Sequence, residues 1–185
     1  MIDDILLEAE EKMEKAIAVA REDFATLRTG RVNPAMFSKI IVDYYGAPTP
    51  LNQLASFHAA DARMMLITPF DRNSINSVEK AIRDSDLGVN PATDGNVVRV
   101  VLPQLTEERR KEYIKVARHK AEEARVSIRN IRRQAKEALE KMKKDGEVGE
   151  DDVKRALAHL ESVTHEQVEH VDEILKHKEE ELLEV

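Results

Sequence analysis

The chain alternates between long stretches with helical periodicity and one stretch with the texture of short strands. In residues 2–29, apolar residues recur every three or four positions with charged residues between them: Leu6, Ala9, Met13, Ala16, Ala20, Phe24 and Leu27. Gly30 then follows a cation and a threonine, which is typical of a helix C-cap, and Pro34 disfavours continuation. The pattern predicts a first amphipathic helix over residues 2–29.

Residues 31–104 do not continue this helical periodicity of apolar residues. Short β-branched or aromatic runs, separated by turn residues, predict strands at 39–45, 54–58, 64–68 and 97–102. One helical pattern, at about 74–84, lies between the strands. We therefore expect a small α+β module with β/α/β order.

Two further helical patterns follow. The first begins at Thr106 and continues to Met142, Asp145-Gly146 and Gly149 then interrupt it, and the last runs to Leu182. Helices that are apolar on one face only must bury that face against one another.

The predicted fold is therefore α+β, an elongated three-helix bundle with an inserted small domain. Residues 1–30 and 105–185 form the bundle, and 31–104 form the insertion. The chain crosses between the domains twice, and we expect a hinge at these crossings: Gly30, Arg31, Pro103 and Gln104.

Charge is distributed unevenly along the chain. The net charge is −7, yet residues 108–144 carry 14 of the 29 basic residues and only six of the 36 acidic ones. Seven of these cations repeat at helical spacing within about 60° of one another around the axis. This cationic stripe consists of Lys111, Arg118, Arg125, Arg129, Arg132, Lys136 and Lys143.

A narrow row of cations on a long helix suits a long and regular polyanion, and the phosphate backbone of a nucleic acid is the leading candidate. The alternative is a solvated helix face that is neutralised by ion pairs. Residues 145–185, with a net charge of −10, could supply part of that neutralisation. Because six acids cannot neutralise 14 bases within the segment, RNA binding is favoured.

The sequence offers no pattern for catalysis. Cysteine is absent, no glycine-rich phosphate loop exists, and His165 and His170 are five positions apart, so they cannot share a metal on one helix face. We expect a non-enzyme without metal or cofactor, and a helical interaction scaffold stays open as the alternative function. The acidic N-terminal segment and the lack of a long apolar run predict a cytoplasmic protein without signal peptide or membrane span.

Several motifs occur in the order found in one known family. The motifs lie at the end of the first predicted helix, after the first strand, within and after the small helix, and at the start and in the middle of the second long helix. In chain order they are Leu27-Arg28-Thr29-Gly30-Arg31, Tyr44-Tyr45-Gly46, Pro48-Thr49-Pro50-Leu51, Val78-Glu79-Lys80-Ala81-Ile82, Ser85-Asp86-Leu87-Gly88, Leu105 to Lys111, and Arg129-Asn130-Ile131-Arg132-Arg133. Over essentially its whole length the chain resembles bacterial ribosome recycling factor.

The resemblance implies a translation factor shaped broadly like tRNA, and we expect the protein to be a monomer. In that family the three-helix domain lies on the large ribosomal subunit against ribosomal RNA. Elongation factor G pushes the smaller domain about the hinge, and the subunits separate after termination. The sequence departs from the family's usual residues at Val32, Asn33, Gln104 and Gly149, of which the first three lie near the hinge.

The candidate RNA-binding residues combine the stripe with the basic motifs of the family. The resemblance points to Arg129, Arg132 and Arg133, and to Arg28, Arg31 and Arg110 in other basic motifs. The full candidate set is Arg28, Arg31, Arg110, Lys111, Arg118, Arg125, Arg129, Arg132, Arg133 and Lys136.

Overall fold

A computed structural model describes residues 1–184 of the chain. The elements follow in the order α1 (Ile2–Ala25), β1 (Ile41–Tyr44), β2 (Ala47–Pro50), β3 (Ala55–Asp61), β4 (Met64–Pro69), α2 (Ile75–Arg83), β5 (Ala92–Asp94), β6 (Val97–Val101), α3 (Glu107–Lys144) and α4 (Glu150–Leu183). Three long helices and a small mixed region make up the α+β fold that the sequence predicts. The fold class is confirmed.

Helix α1 ends at Ala25, four residues before the predicted end. The Thr29 hydroxyl accepts a hydrogen bond from the Arg31 backbone N–H at 3.3 Å, which offers the backbone a local turn in place of the helix. Gly30 does not have the positive φ of a C-cap glycine. The predicted helix end and the capping role of Gly30 are therefore wrong.

The ends of α3 follow the predicted signals. At the start, the Thr106 hydroxyl accepts a hydrogen bond from the Arg109 N–H at 3.1 Å, as an N-cap residue does. At the end, Gly146 has a φ of 72° and donates its N–H to Lys143, while Glu147 donates to Met142. These two bonds are a Schellman motif, which only a residue tolerant of positive φ closes at low cost.

The first of two compact units consists of residues 1–24 and 115–179. Here α1 and the greater parts of α3 and α4 bury their apolar faces, with Met13, Phe24, Ile128, Leu139 and Val171 among the residues of the core. Three amphipathic helices thus cover one another as a bundle does.

The second unit consists of residues 25–114 and 180–184. Strands β3, β4, β6 and β5 form, in that order, an antiparallel four-stranded sheet, and β1 and β2 form a separate hairpin. Helix α2 packs against β1 and β6. Alternate residues of the central strands point into the core, where Met65 pairs with Val100 and Ile67 with Val98.

Two observed strands were not predicted. Strand β2 contains Pro48 and Pro50, and proline is depleted from strands because it lacks a backbone N–H. It is tolerated here because β2 pairs with β1 alone. Strand β5 has only three residues, too few to give a periodic pattern. The two compact units divide after residues 24, 114 and 179. The predicted domain boundaries at 30/31 and 104/105 stay a prediction.

The turn between β1 and β2 places a bulky residue in an unfavourable conformation. Tyr45 has a φ of 50° and Gly46 a φ of 82°, which are the two positive φ angles of a type I′ turn. Asparagine followed by glycine is the usual choice, and a left-handed conformation costs other residues roughly 1–2 kcal/mol. Hydrogen bonds from the hydroxyls of Tyr44 and Tyr45 to Asp71, at 3.0 and 2.9 Å, hold the tyrosines at this turn.

Candidate nucleic-acid interface

One edge of the cationic stripe is paired with α4. Arg118 bonds to Glu179 at 2.7 Å, Arg125 to Asp172 at 2.7 Å, and Arg132 to Glu161 at 2.5 Å. The residue number of the α4 partner falls as the residue number of the arginine rises, as expected for antiparallel helices. The ion-paired alternative for the stripe is thus realised at these three arginines, and Lys143 of the stripe also lies 3.4 Å from Glu150 of α4.

Arg125 is the most enclosed of these three arginines, with 18% of its side chain exposed. Burial by itself would lower the pKa of its guanidinium, but hydrogen bonds to Asp172 and Glu122 outweigh it and raise the pKa. The charge is therefore fixed in place by two carboxylates, and a phosphate would have to compete with them for this side chain.

The other edge of the stripe is open. Arg129 and Lys136 of the stripe are exposed, and so is Arg133, which is not a member of the stripe but lies next to Arg129 around the helix axis; we call these three residues the open patch. Arg129 lies 3.4 Å from Glu122, whereas neither Arg133 nor Lys136 forms an ion pair with any residue in the range 1–184. These cations face solvent and can bind phosphate without first giving up a strong partner.

Three other predicted residues lie in the second unit. Arg31 is exposed, and Lys111 is exposed with Glu107 at 3.7 Å. Arg110 is half-buried, and one terminal guanidinium nitrogen lies 3.5 Å from the Glu184 carbonyl oxygen. Arg31 and Lys111 can reach a ligand in solution, while Arg110 has a more restricted path.

Arg28 departs from the expectation for an RNA-binding residue. It is only 6% exposed, and its terminal Nη2 donates a hydrogen bond to the Pro103 carbonyl oxygen. Burial lowers the pKa of its guanidinium, an effect that Tyr113 partly opposes. A phosphate cannot reach this side chain in the present structure, so we leave Arg28 out of the interface and correct its assignment to a structural one.

The predicted hinge residues lie together within the second unit. The Arg28 hydrogen bond to Pro103 joins the two segments at which the sequence predicts chain crossings. Gly30 is half-buried, and Pro103 and Gln104 are exposed. The hinge role itself stays a prediction.

Sites of other kinds are not found in the described part of the chain. No group of three or more side chains there could hold a metal ion, and no helix there is long and apolar enough to cross a membrane. His165 bonds to Glu169 at 2.9 Å, and His170 lies 3.4 Å from Gln167, both in exposed positions.

Comparison with known proteins gives the family. A family model described as ribosome recycling factor matches residues 20–183 of the chain. The chain belongs to the ribosome recycling factor family.

Relatives within this family match over their full length. Ribosome-recycling factors of Acidothermus cellulolyticus, Kineococcus radiotolerans and Streptomyces coelicolor are 71%, 68% and 63% identical to it. Each alignment covers 100% of this chain and 100% of the relative.

Solved structures of the family have the same fold. A solution structure of ribosome recycling factor is 39% identical, with a TM-score of 0.78 over 100% of this chain and 98% of the other. A second structure shows the T. thermophilus ribosome recycling factor and E. coli elongation factor G bound to the E. coli post-termination complex. It is 42% identical, with a TM-score of 0.70 over 100% of both chains. As a member of this family, the chain is a translation factor of ribosome recycling, a step in protein biosynthesis.

Proposed function

We propose that the protein releases ribosomes from mRNA after termination, by splitting the post-termination complex together with elongation factor G. Family membership supports this proposal, as does the T. thermophilus relative that is bound with elongation factor G to a post-termination complex. The protein itself is expected to catalyse no covalent step. Hydrolysis of GTP by elongation factor G would supply the free energy of splitting. We expect the protein described here to work in the cytoplasm as a monomer.

The open patch is the observation that carries the binding part of this proposal. Arg129, Arg133 and Lys136 place three exposed cations within about two turns of α3. Exposed cations at this spacing can neutralise successive phosphates of a folded RNA. We propose that they bind ribosomal RNA of the large subunit.

The paired edge of the stripe would join the interface by exchange of partners. Arg118, Arg125 and Arg132 bond to carboxylates that lie at or near the surface. The pairs of Arg118 and Arg132, which are more exposed, contribute little free energy in water, about 0–1 kcal/mol, so a phosphate can displace them at low cost, whereas Arg125 has to give up two carboxylates. Arg31, Arg110 and Lys111 complete the proposed set from the second unit.

The small domain would act as the moving part. Its core draws on residues from Met36 to Leu102, and none of the long helices contributes to that cluster. A domain with its own core can rotate as a body about short connections. We propose that Gly30–Arg31 and Pro103–Gln104 are those connections.

Salt dependence of binding to purified large subunits tests the phosphate contacts. If about five cations neutralise phosphates, the slope of log affinity against log salt should be roughly −3.5 to −4.5. Replacing Arg129, Arg133 and Lys136 with Ala should flatten the slope, whereas replacing the exposed Arg21 of α1 should not. A wild-type slope near zero would favour the helical interaction scaffold instead.

A further inference from the structure

The small domain carries a group of aromatic side chains that the proposed function does not use. The group has three aromatic residues, Tyr44, Tyr45 and Phe70, and we call these three together with Asp71 the aromatic corner. Both tyrosine hydroxyls donate to the same Asp71 oxygen, and the two rings meet edge to face with centroids 4.7 Å apart. Tyr45 is 74% exposed and Phe70, next to Asp71, is 71% exposed. Tyr45 thus faces solvent beside the Asp71 carboxylate, and Phe70 faces solvent at the preceding position of the chain.

The fold gains little from Tyr45 beyond its hydroxyl bond to Asp71 and its edge-to-face contact with Tyr44. Its positive φ suits asparagine or glycine, and its exposed ring buries little area in return. Backbone strain of this kind persists where the residue serves another purpose. The Tyr45 ring is held in place and exposed, and its backbone conformation costs free energy, so we infer that the ring contacts a partner outside the chain.

Asp71 indicates the charge of that partner. Its second oxygen accepts the Asn73 backbone N–H at 2.9 Å. This hydrogen bond, together with those from Tyr45 and Tyr44, lowers the pKa of the carboxyl further below its ordinary acidic value, and the group is ionised at neutral pH. A carboxylate offers about four acceptor sites, and these bonds use three of them. One acceptor site on a negative group beside exposed rings remains available.

The small domain as a whole has no net positive charge that would attract nucleic acid. Residues 31–104 contain seven acidic and seven basic residues, whereas residues 108–144 carry a net charge of +8. An ionised carboxylate repels phosphate, and the domain has no surplus of cations to offset that repulsion. A guanidinium fits better, because it stacks on an aromatic ring and bonds to a carboxylate at the same time.

Strand addition is a poor alternative at this site. Strand β2, beside the turn, contains Pro48 and Pro50, which have no backbone N–H to donate to an added strand. Recognition here must therefore use side chains. Exposed aromatic residues of this kind are enriched at protein–protein interfaces.

We propose that the aromatic corner is a docking surface for a protein segment that presents an arginine side chain. The guanidinium stacks on Tyr45 or Phe70 and bonds to the free acceptor site of Asp71. The proposal rests on the proposed function, because the partner is sought among the proteins of the splitting reaction.

Replacing Tyr45 with Asn tests the corner without harming the fold. Asn suits the positive φ, so the melting temperature should equal or exceed that of the wild type. Splitting of post-termination ribosomes with elongation factor G and GTP should slow by about tenfold, while affinity for large subunits stays unchanged. The control is Val19→Asn on α1, which removes an apolar side chain that is 56% exposed and should split normally.

Failure of the corner and failure of the proposed function give different results. If the wild type splits ribosomes and Tyr45→Asn splits them equally fast, the corner proposal is wrong and the proposed function stands. If the wild type does not split them, the proposed function fails, and crosslinking then decides on the corner.

Crosslinking identifies the class of partner directly. A photoreactive benzophenone side chain replaces Phe70 in the full-length protein, which is mixed with purified post-termination ribosomes, elongation factor G and a non-hydrolysable GTP analogue. We expect a crosslink to a protein peptide that contains arginine, and a yield that falls at least about fivefold when Asp71 is replaced with Asn. A control protein carries the benzophenone at position 19 of α1 instead. Crosslinks to RNA alone, crosslinks to a peptide without arginine, or a yield no higher than that of the control would overturn the proposal.

Discussion

Individual arginines of α3 differ in what they must give up before they can bind a phosphate. Arg132 bonds to Glu161 at 2.5 Å, while Arg133, one position along, makes no ion pair within residues 1–184. The sequence places both in one basic motif and cannot separate them, because the distinction depends on which α4 carboxylates lie alongside. Neighbouring residues of one motif are thus expected to behave differently.

Replacing Arg133 with Ala should weaken binding to large subunits and leave the fold intact. The side chain is exposed and unpaired, so the free energy of unfolding should change by less than about 0.5 kcal/mol. Loss of a charged hydrogen bond to phosphate should cost on the order of 1–3 kcal/mol of binding. Titration of labelled protein with large subunits measures this, and Arg21→Ala on α1 is the matched control. Equal affinities for both variants would remove Arg133 from the interface.

Replacing Arg28 with Ala should have the opposite profile. It takes away the donor for the Pro103 carbonyl oxygen and leaves a gap in a buried site, so unfolding should become easier by about 1–3 kcal/mol. The affinity of the folded protein for large subunits should stay within about twofold. Thermal melts and subunit titrations check the two parts, with the exposed Arg31→Ala as a stability control. A stable Arg28→Ala protein with weakened binding would restore Arg28 to the RNA interface.

Among the elements, the long helices were predictable because each has a repeated apolar face and clear end signals. Thr106 at the start of α3 and Gly146 at its end do what their sequence positions suggest. Prediction failed where tertiary contacts overrode a local pattern. Leu27 and Arg28 continue the helical spacing of α1, yet α1 stops at Ala25 and Arg28 turns inward.

The candidate site was predictable to a similar degree. Helical spacing places the stripe on one face of α3, and charge counting shows that acids within α3 cannot neutralise it. Which stripe arginines pair with α4 depends on the register of two antiparallel helices, and no local pattern encodes that register. The aromatic corner was also missed, because Phe70 and the tyrosine pair are far apart in the sequence.

Removing carboxylates from α4 should raise affinity for the large subunit. In the variant with Glu161→Gln, Asp172→Asn and Glu179→Gln, three stripe arginines lose their α4 partners, while Arg125 keeps Glu122, and three negative charges disappear beside the proposed RNA-binding surface. We expect binding to tighten about two- to tenfold at low salt, with less than about 2 kcal/mol lost in stability. The same subunit titration measures the gain.

The control for this variant is Glu173→Gln, since Glu173 is also exposed on α4 but forms no ion pair within residues 1–184. It should leave the affinity nearly unchanged. If the triple variant bound no better than Glu173→Gln, the paired edge of the stripe would not take part in binding.

For the whole molecule, charge and core are divided between different parts of the sequence. Residues 108–144 concentrate positive charge, while residues 31–104 are neutral and carry a separate core. The proposed mechanism needs this separation, because movement of the part that elongation factor G would push must not disturb the RNA contacts proposed for the other part. The proposed splitting mechanism depends on both parts.

Light scattering of post-termination ribosomes tests this mechanism most directly. Purified ribosomes are mixed with elongation factor G, GTP and either the wild type or a variant with Arg129, Arg133 and Lys136 replaced by Ala. The wild type should lower the scattering as subunits separate, and the variant should do so at least about tenfold more slowly at the same limiting concentration. Arg21→Ala should match the wild type. No loss of scattering with the wild type, or splitting by the open-patch variant at the wild-type rate, would contradict the account.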